Sequence, residues 1–357
     1  MFYSAKHPEF VNLLIETISN QMWKSGDNNF LNELSEEKML SYFEYLDANG
    51  ILFLTIDYLN DSQSFNDLPL DVRTFCNNKI KINNELDNYH KKITVEIVNN
   101  FKSQNINYLI LKGQIFTYIL YPKQNVRPCR DLDIIVKKSH IEKALKILRN
   151  MGFFSINSHE EAEQHLPRMI RKENNNFRFS VEIHHRLVPK IIYGIKVNEF
   201  NDYFNRKQSY KINQNTDFYS LCYEDHIVHM HLHLFHHIFY NFRFIHLADI
   251  LFSINNWQDH VNWSQIGEKI DNLGLAEFRN FLWNFINHHF KTHLPTTLYR
   301  RYDFEKISTS LLEHGSIPIF SSFNFKNSNS KLSVIIYEEI KRYFYRSLKA
   351  PSWNFFK

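Results

Sequence analysis

The 357-residue sequence predicts an α+β fold in which a small mixed sheet with its own helices is flanked by helical regions on both sides. Short apolar runs that carry acidic residues predict the strands, near the middle of the chain. Apolar residues at helical spacing predict helices before and after them. The predicted regions are an N-terminal helical region over 1–101, a core over 102–190, a C-terminal helical region over 191–300 and a helical tail over 301–357.

The composition describes an ordered globular protein that favours anionic ligands. Hydrophobic residues make up 43% of the chain and aromatic residues 16%, which excludes a mainly disordered protein. The net charge of +4 suits a nucleotide ligand but is smaller than that of a dedicated nucleic-acid binder. RNA or DNA therefore stays open as a substrate but is not favoured. The spacing of Cys76, Cys129 and Cys222 fits neither a disulfide framework nor a zinc cluster. We expect a cytoplasmic protein without stable membrane insertion, since no signal peptide or long apolar segment is found.

The N-terminal region has the apolar spacing of helices in four consecutive segments, 8–19, 35–49, 51–59 and 71–101. Asn49-Gly50 marks the sharpest break between them. The longest helix is expected to run directly into the first strand of the core. Two interpretations are open, because such a helical cap either lines the substrate site or only covers apolar surface of the core.

The core begins with a short buried strand over 109–111 that stops at Gly113, before a helix over 114–120. A glycine at such a turn lets backbone N–H groups approach a ligand, and helix N-termini bind phosphate readily. The next strand carries Asp131 and Asp133 within an apolar run, on one face because side chains alternate along a strand. Burying two like charges together costs free energy unless a cation or an arginine offsets them, so something positive is expected there. Mg²⁺, which prefers hard oxygen ligands, is the first candidate, and the alternative is a solvated pair of aspartates at a strand end without a function.

A helix over 140–151 is predicted after the second strand. Its apolar residues recur at helical spacing, and Ser139 and Glu142 have the spacing of a capping box. Gly152 follows in the place where left-handed helix ends favour glycine. This segment is therefore predicted to connect the second strand to the rest of the sheet.

Two extended segments, 164–172 and 177–186, flank three asparagines at 174–176 and predict a hairpin, since asparagine tolerates positive φ. The second arm carries Glu182, and His184 lies on the same face of that strand. Glu182 is the candidate third acid, because three carboxylates could converge on two metal ions.

These residues resemble, in order, the motifs of the uncharacterised nucleotidyltransferase family in the DNA polymerase beta-like superfamily. The matching stretches are Lys112-Gly113, Arg127-Pro-x-x-Asp131-Leu-Asp133-Ile-Ile-Val and Glu182-Ile-His184. The resemblance covers roughly residues 5–295 and implies a polymerase beta-like nucleotidyltransferase core. The chain departs from the superfamily pattern at Gln114, which stands where a serine usually follows the glycine.

The resemblance implies transfer of a nucleoside monophosphate from ATP or GTP to an unidentified hydroxyl or phosphate acceptor, with release of pyrophosphate. Mg²⁺ is the expected cofactor, with Mn²⁺ as the alternative. The expected metal ligands are Asp131, Asp133 and Glu182. The expected catalytic set adds His184, which either orients a carboxylate or acts as a base. The expected nucleotide-binding residues are Lys112, Gly113, Gln114 and Arg127.

Histidines gather in the first part of the C-terminal helical region, where positions 226, 229, 233 and 237 share one face of a predicted helix. Such a column fits packing and hydrogen bonding, contact with a triphosphate, proton transfer, or zinc, which usually needs a further ligand. Arg243 and Asp249 follow and are expected to serve the structure. The tail over 301–357, with two predicted helices, either packs on the body or presents basic and aromatic residues to a partner or to a membrane surface.

Two alternatives to a small-molecule or general transferase are open at this stage. One is a toxin-type or defence-associated nucleotidyltransferase that modifies tRNA or a protein. The other is a catalytically silent nucleotide-binding module that keeps the fold without turnover. The complete set of three acids favours an active enzyme over the silent module.

Overall fold

The structure is a computed structural model that describes residues 17–19, 31, 34–155, 164–172, 178–192, 195–197, 202–213, 216–237, 243–290, 292, 294 and 295. Its described part combines a seven-stranded mixed sheet with helices before and after it. The predicted α+β class is confirmed. Of the predicted helix 8–19 only residues 17–19 are described, and they are helical. The predicted tail over 301–357 lies outside the described residues.

The predicted N-terminal helices are present as α1 (Glu36–Ala48), α2 (Leu52–Asp61) and α3 (Leu70–Ser103). Helix α3 has 34 residues and ends five residues before the first strand, as the sequence predicts. Its buried residues lie on one stripe and include His90, Ile93, Ile97 and Phe101. This stripe packs on the sheet, because the rings of His90 and Phe179 lie 4.8 Å apart and those of Phe101 and Tyr108 lie 5.9 Å apart.

The core elements follow in the predicted order as β1 (Tyr108–Ile110), α4 (Phe116–Ile119), β2 (Asp131–Val136), α5 (Ile141–Asn150), β3 (Phe154–Ser155), β4 (Met169–Lys172) and β5 (Arg178–His184). Two local predictions are wrong. Helix α4 is shorter than the predicted 114–120, because residues 112–115 form a turn. The capping box is not formed, since the residue before α5 is His140 and no side chain caps the helix. Ser139 lies instead in a short 3-10 helix, Lys138–His140.

The prediction of a mostly helical segment from residue 191 is also wrong for the described residues between 191 and 220. Strands β6 (Ile191–Ile192) and β7 (Ile195–Lys196) form a small hairpin, and β8 (Gln208–Asn213) and β9 (Thr216–Ser220) join the main sheet. The order in that sheet is β3-β4-β5-β2-β1-β9-β8. The sheet thus continues past residue 190, while the division of the chain into domains stays a prediction.

Strand β2 lies in the middle of the sheet, antiparallel to β1 and parallel to β5. Leu132, Ile134 and Val136 point to the face that α3 covers, as Phe179 and Val181 of β5 do. The residues that alternate with them on β2 and β5 therefore point to the opposite face. That second face is the one on which the acidic residues lie.

The C-terminal helices are α6 (Tyr223–His237), α7 (Phe244–Trp257), α8 (Trp263–Asn272) and α9 (Ala276–Phe290). Asp225 of α6 is completely buried and contacts Lys269 of α8 at 3.0 Å and Arg206 at 2.9 Å. Two cations on one buried carboxylate offset its desolvation and fix α6 against α8. None of the helices in the described ranges combines the length and the apolar character needed to cross a membrane.

Helix α7 begins against the turn that separates α1 from α2. The backbone N–H of Ile245 donates to the carbonyl of Asn49 at 3.1 Å. Gly50 has φ +76°, and a Cβ there would lie 2.9 Å from Nη2 of Arg243 and 3.1 Å from Cβ of Ile245. The Asn49-Gly50 pair that punctuates the sequence therefore also makes room for the start of a helix nearly 200 residues later.

Replacing Gly50 by alanine is expected to destabilise the protein through both the backbone and the contact with α7. Gly152, which follows α5 with φ +84°, is a matched control because a Cβ there meets nothing within 4 Å. Gly152→Ala should lower the free energy of unfolding by about 1–2 kcal/mol. Gly50→Ala should lower it by at least about 1 kcal/mol more, because Ile245 must shift. Urea denaturation of both variants measures the difference, and equal losses would contradict the contact with α7.

His231 is expected to make stability fall in mild acid. Its Nδ1–H donates to the carbonyl of Ile227 at 2.8 Å and its Nε2 accepts from Nε1–H of Trp283 at 2.8 Å, so both bonds need the neutral ring. Burial lowers its pKa to about 4. Between pH 6.5 and about 4 the unfolded chain therefore binds the proton that the folded protein excludes, and stability decreases as the pH falls.

The measurement compares urea denaturation of wild type and His231→Gln at several pH values in that window. As the pH falls, the free energy of unfolding should decrease less steeply in the variant than in wild type, by up to about 1.4 kcal/mol per pH unit. This difference is the slope that one titrating group contributes. His260→Gln, at an exposed position, is the control and should keep the wild-type slope. Parallel profiles for wild type and His231→Gln would show that His231 does not contribute.

Candidate active site

Two buried carboxylates lie side by side at the centre of the sheet. In the parallel register of β2 and β5, Asp133 pairs with Glu182, Asp131 with Ser180, and Ile135 with His184. Neighbours in such a register point to the same face. Asp133 is 4% exposed and Glu182 is 8% exposed, so both carboxylates are largely removed from water. Sequence and structure agree that two of the three predicted acids meet at one point.

Cations from two parts of the chain offset these charges. Nζ of Lys112, in the turn after β1, lies 3.4 Å from Oδ2 of Asp133. Nε of Arg168, just before β4, donates to Oε1 of Glu182 at 2.8 Å, and its Nη2 contacts the same oxygen. Lys112 belongs to the predicted site, whereas Arg168 does not. The expectation that something positive must accompany the acids is thus met by protein side chains.

The two aspartates of β2 have pKa values that shift in opposite directions. Burial and the charges of Asp133 and Glu182 raise the pKa of Asp131 to about 6, against the opposing effect of Lys112. Burial also disfavours ionised Asp133, but Lys112 and His184 outweigh it and hold the pKa of Asp133 well below its usual range. Asp133 is therefore a permanent carboxylate, and Asp131, which is half-buried, is the acid that takes up a proton more readily.

His184 contacts Asp133 rather than open solvent. Its Nε2 lies 2.9 Å from Oδ1 of Asp133, and a carboxylate can only accept a hydrogen bond, so Nε2 carries the proton. Its Nδ1 is buried and has no hydrogen-bond partner among the described residues. Of the two predicted roles, the geometry fits the orientation of a carboxylate.

One group of side chains in the described ranges has the geometry of a metal site. Asp133, Glu182 and His184 each present a ligand atom, and these atoms all lie within 4.8 Å of one another. Asp131 is outside this group but lies two residues before Asp133 on the same strand face. Carboxylate oxygens at this spacing fit Mg²⁺, which is usually bound through one or two carboxylates with waters and substrate phosphates.

The turn after β1 packs closely against the segment before β2. A Cβ on Gly113 would lie 3.1 Å from Sγ of Cys129 and 3.9 Å from Nη1 of Arg127. Cys129 in turn donates its thiol hydrogen to the carbonyl of Asp131 at 3.0 Å. The amide of Gln114 is buried and donates to the hydroxyl of Tyr118 at 3.1 Å, so its side chain lies inside the fold. Gly113 thus lets the turn reach the first aspartate of β2.

Arg127 forms a buried two-point ion pair with Asp249 of α7. Its Nε and Nη2 donate to Oδ1 and Oδ2 of Asp249, each at 2.7 Å. Tyr121 adds a hydrogen bond to Oδ1 of the same carboxylate at 2.8 Å. Nε and Nη2 are therefore engaged by Asp249, while Nη1 makes a long hydrogen bond of 3.5 Å to the carbonyl of Pro128 and lies toward the turn of Gly113. The expected structural role of Asp249 has this contact as its physical basis.

The histidines of α6 divide into two groups. His226 and His231 are completely buried and bonded within the fold, as the contact of His226 with the hydroxyl of Ser220 at 3.0 Å shows. His229, His233 and His237 form a row whose successive rings lie 6.4 and 4.3 Å apart, and His246 of α7 lies 4.8 Å from His233. Burial lowers the pKa of His229 and His237 to about 3, with Lys112 adding to the shift.

This row does not form a convergent set of metal donors in the part of the chain that the structure describes, where the group at Asp133, Glu182 and His184 is the one found. The zinc interpretation of the histidine column therefore gains no support. The lowered pKa values instead describe neutral imidazoles at the edge of the acidic site, within the field of Lys112.

Comparison with solved structures gives seven similar chains, two of which cover 38% and 60% of this chain. One is the crystal structure of the lincosamide antibiotic adenylyltransferase LnuA with lincomycin bound, at 16% identity over 38% of this chain and 83% of that chain, with a TM-score of 0.27. The other is an antigenic nucleotidyltransferase-like protein from Paracoccidioides brasiliensis, at 15% identity over 60% of this chain and 95% of that chain, with a TM-score of 0.37. No curated protein matches the chain.

The family comparison is broader. The sequence pattern described as "Uncharacterised nucleotidyltransferase" matches residues 37–291. The match begins at α1, includes every strand of the sheet and ends just after α9, so it covers well over half of the chain. The resemblance inferred from the motifs is confirmed. The protein belongs to the uncharacterised nucleotidyltransferase family and is a nucleotidyltransferase.

Proposed function

We propose that the protein transfers a nucleoside monophosphate from ATP or GTP to a hydroxyl or phosphate of an acceptor, in a reaction that depends on Mg²⁺ and releases pyrophosphate. The observation that carries this proposal is the register pair of Asp133 and Glu182, with Asp131 two residues earlier on the same face. A metal-dependent nucleotidyltransferase needs carboxylate oxygens at one point to hold the metal that positions the phosphates, and this pair supplies such oxygens.

Asp131, Asp133 and Glu182 are the residues that would hold the metal, and Mn²⁺ could take the same oxygen ligands. When bound, Mg²⁺ supplies positive charge for the triphosphate and for the leaving pyrophosphate. His184 acts as a positioning residue, because its Nε2–H holds one oxygen of Asp133 and leaves Oδ2 facing Lys112. Such outer contacts orient a ligand and maintain its charge.

The nucleotide would lie over the turn between β1 and α4. Lys112 is the cation of this turn, and the surrounding acids keep it protonated although burial favours the neutral amine. Backbone N–H groups at Gly113 and Gln114 are donors for phosphate oxygens. Arg127, fixed by Asp249, keeps the segment before β2 against this turn, with Nη1 nearest to it. Lys112 and Nη1 of Arg127 thus supply charge on the nucleotide side of the acids.

In the transfer step a bond forms between the acceptor oxygen and the α-phosphorus while the bond from that phosphorus to the bridging oxygen breaks. The acceptor proton passes to a carboxylate of the site. Asp131 is the best-placed acid, because it is half-buried whereas Asp133 and Glu182 are buried. The electron pair of the broken bond leaves with pyrophosphate.

Asp133→Asn tests the proposal because it keeps the volume and removes the charge. We expect transfer from α-labelled ATP or GTP to fall about a hundredfold or more over a panel of acceptors, since the metal loses a ligand. Glu142→Gln, on the exposed surface of α5, is the control and should be as active as wild type. Asp131→Asn is a second variant that changes a less buried position.

Three readouts separate the outcomes. Calorimetry with a nonhydrolysable NTP and Mg²⁺ measures binding, the labelled assay measures transfer, and urea denaturation shows whether each variant is folded. Equal turnover by folded wild type and Asp133→Asn would contradict the assignment of the site. Metal-dependent binding by wild type without transfer to any acceptor would instead favour the silent module.

A further inference from the structure

Arg243, the residue before α7, is a cation for which the described residues provide no counter-charge. The side chain is half-buried, and its Nε is buried without a hydrogen-bond acceptor among the described residues. The described part of the chain also provides no ion pair for its guanidinium, whereas Arg127, Arg168 and Arg206 each contact a carboxylate. A buried, unpaired guanidinium is costly unless a ligand supplies the missing anion.

Packing rather than charge holds Arg243 in this position. The adjacent backbone is anchored by the bond from the N–H of Ile245 to the carbonyl of Asn49. Nη2 lies over Gly50, where a Cβ would be only 2.9 Å away. Gly50 therefore leaves space for the guanidinium of Arg243, but none of the described residues accepts a hydrogen bond from its Nε.

The charged residues near Arg243 do not include an ion-pair partner for it among the described residues. Burial lowers its pKa, and Arg127 and Arg130 lower it further. The acids that act in the opposite direction are Asp47 and Asp131. Asp47 is bound to Lys79 at 2.6 Å, and Asp131 belongs to the acidic group beside Lys112. Neither carboxylate forms an ion pair with Arg243, so its charge remains open to a ligand.

His246, one turn further along α7, adds a second buried polar side chain. Its Nδ1 is buried without a hydrogen-bond partner in the described ranges. Its ring lies 4.8 Å from that of His233 and 5.5 Å from that of His237. The charges of Arg127, Arg243 and Lys112 all act on this imidazole and lower its pKa further than burial alone. The region thus combines buried nitrogen atoms that have no partner among the described residues with positive charge.

We propose that Arg243, with His246, forms a subsite for a phosphate group on the α7 side of the active site. The inference rests on the proposed function for the role of its neighbours Asp131 and Lys112. The phosphate could belong to the β- or γ-position of the NTP or to the acceptor, since both present the same oxyanion. Arg243 would bind it through two N–H donors, a geometry that guanidinium groups favour for phosphate.

The test is calorimetric titration of the full chain with inorganic pyrophosphate in the presence of EDTA, so that no metal contributes. Arg243→Gln should bind pyrophosphate roughly tenfold more weakly than wild type, because charge-assisted hydrogen bonds are lost. Arg243→Lys should recover part of the affinity. Arg149→Gln, on the exposed surface of α5, removes the same charge elsewhere and should bind like wild type.

Equal affinity of folded Arg243→Gln and wild type would overturn the subsite, whatever the transfer assay shows. A loss with Arg243→Gln that Asp133→Asn does not share would support the subsite even if transfer were never found, so the two proposals can fail separately. Titration with a nonhydrolysable NTP then identifies the source. Weaker NTP binding by Arg243→Gln assigns the subsite to the triphosphate, and unchanged NTP binding with weaker pyrophosphate binding assigns it to the acceptor.

Discussion

The parallel register of β2 and β5 is the constraint on which the site depends. It places the carboxylates of Asp133 and Glu182 next to each other at less than a tenth of full exposure. Two like charges so close in a poorly solvated site would drive one of them to take up a proton unless cations were near. The strand order brings those cations close. Strand β1 lies beside β2 and is followed by Lys112, and strand β4 lies beside β5 and is preceded by Arg168.

The same constraint explains why neighbouring acids can differ in chemistry. Lys112 and His184 both contact Asp133, whereas neither side chain contacts Asp131, two residues earlier on β2. The pKa values of the two aspartates are therefore pushed apart by position along one strand. A pair of titratable groups with opposite shifts gives a site one permanent anion and one proton acceptor near neutral pH.

Much of this arrangement is predictable from the sequence, because it follows from the two-residue period of strands. That period places Asp131 with Asp133 and Glu182 with His184. The asparagine turn at 174–176 also predicts which residue lies opposite Glu182. A hairpin centred on Asn175 pairs residue 169 with 181, as the structure has it, and so sets Arg168 opposite Glu182. The cation of the third acid could have been found from the turn alone.

Strand β8 has a local signal in the sequence, since the buried residues Tyr210 and Ile212 alternate with the exposed Lys211, as is typical of a strand. Other features depend on information that a sequence does not carry locally. The partner of Arg127 lies 122 residues away, and no spacing rule connects them. Contacts at such separation are decided by how helices pack on the sheet, which is set by the whole core.

Helix α7 connects these long-range contacts to the site. Asp249 is bound at two points by Arg127 and at a third by Tyr121, so the helix is fixed against the segment that leads into β2. Arg243 lies six residues earlier, which corresponds to about 9 Å along a helix axis. The ion pair of Asp249 therefore fixes the helix that follows Arg243, an arginine for which the described residues provide no counter-charge. Because a buried pair of this geometry tolerates little displacement, it adds to the backbone bond of Ile245 and the packing on Gly50, which position Arg243 before any ligand arrives.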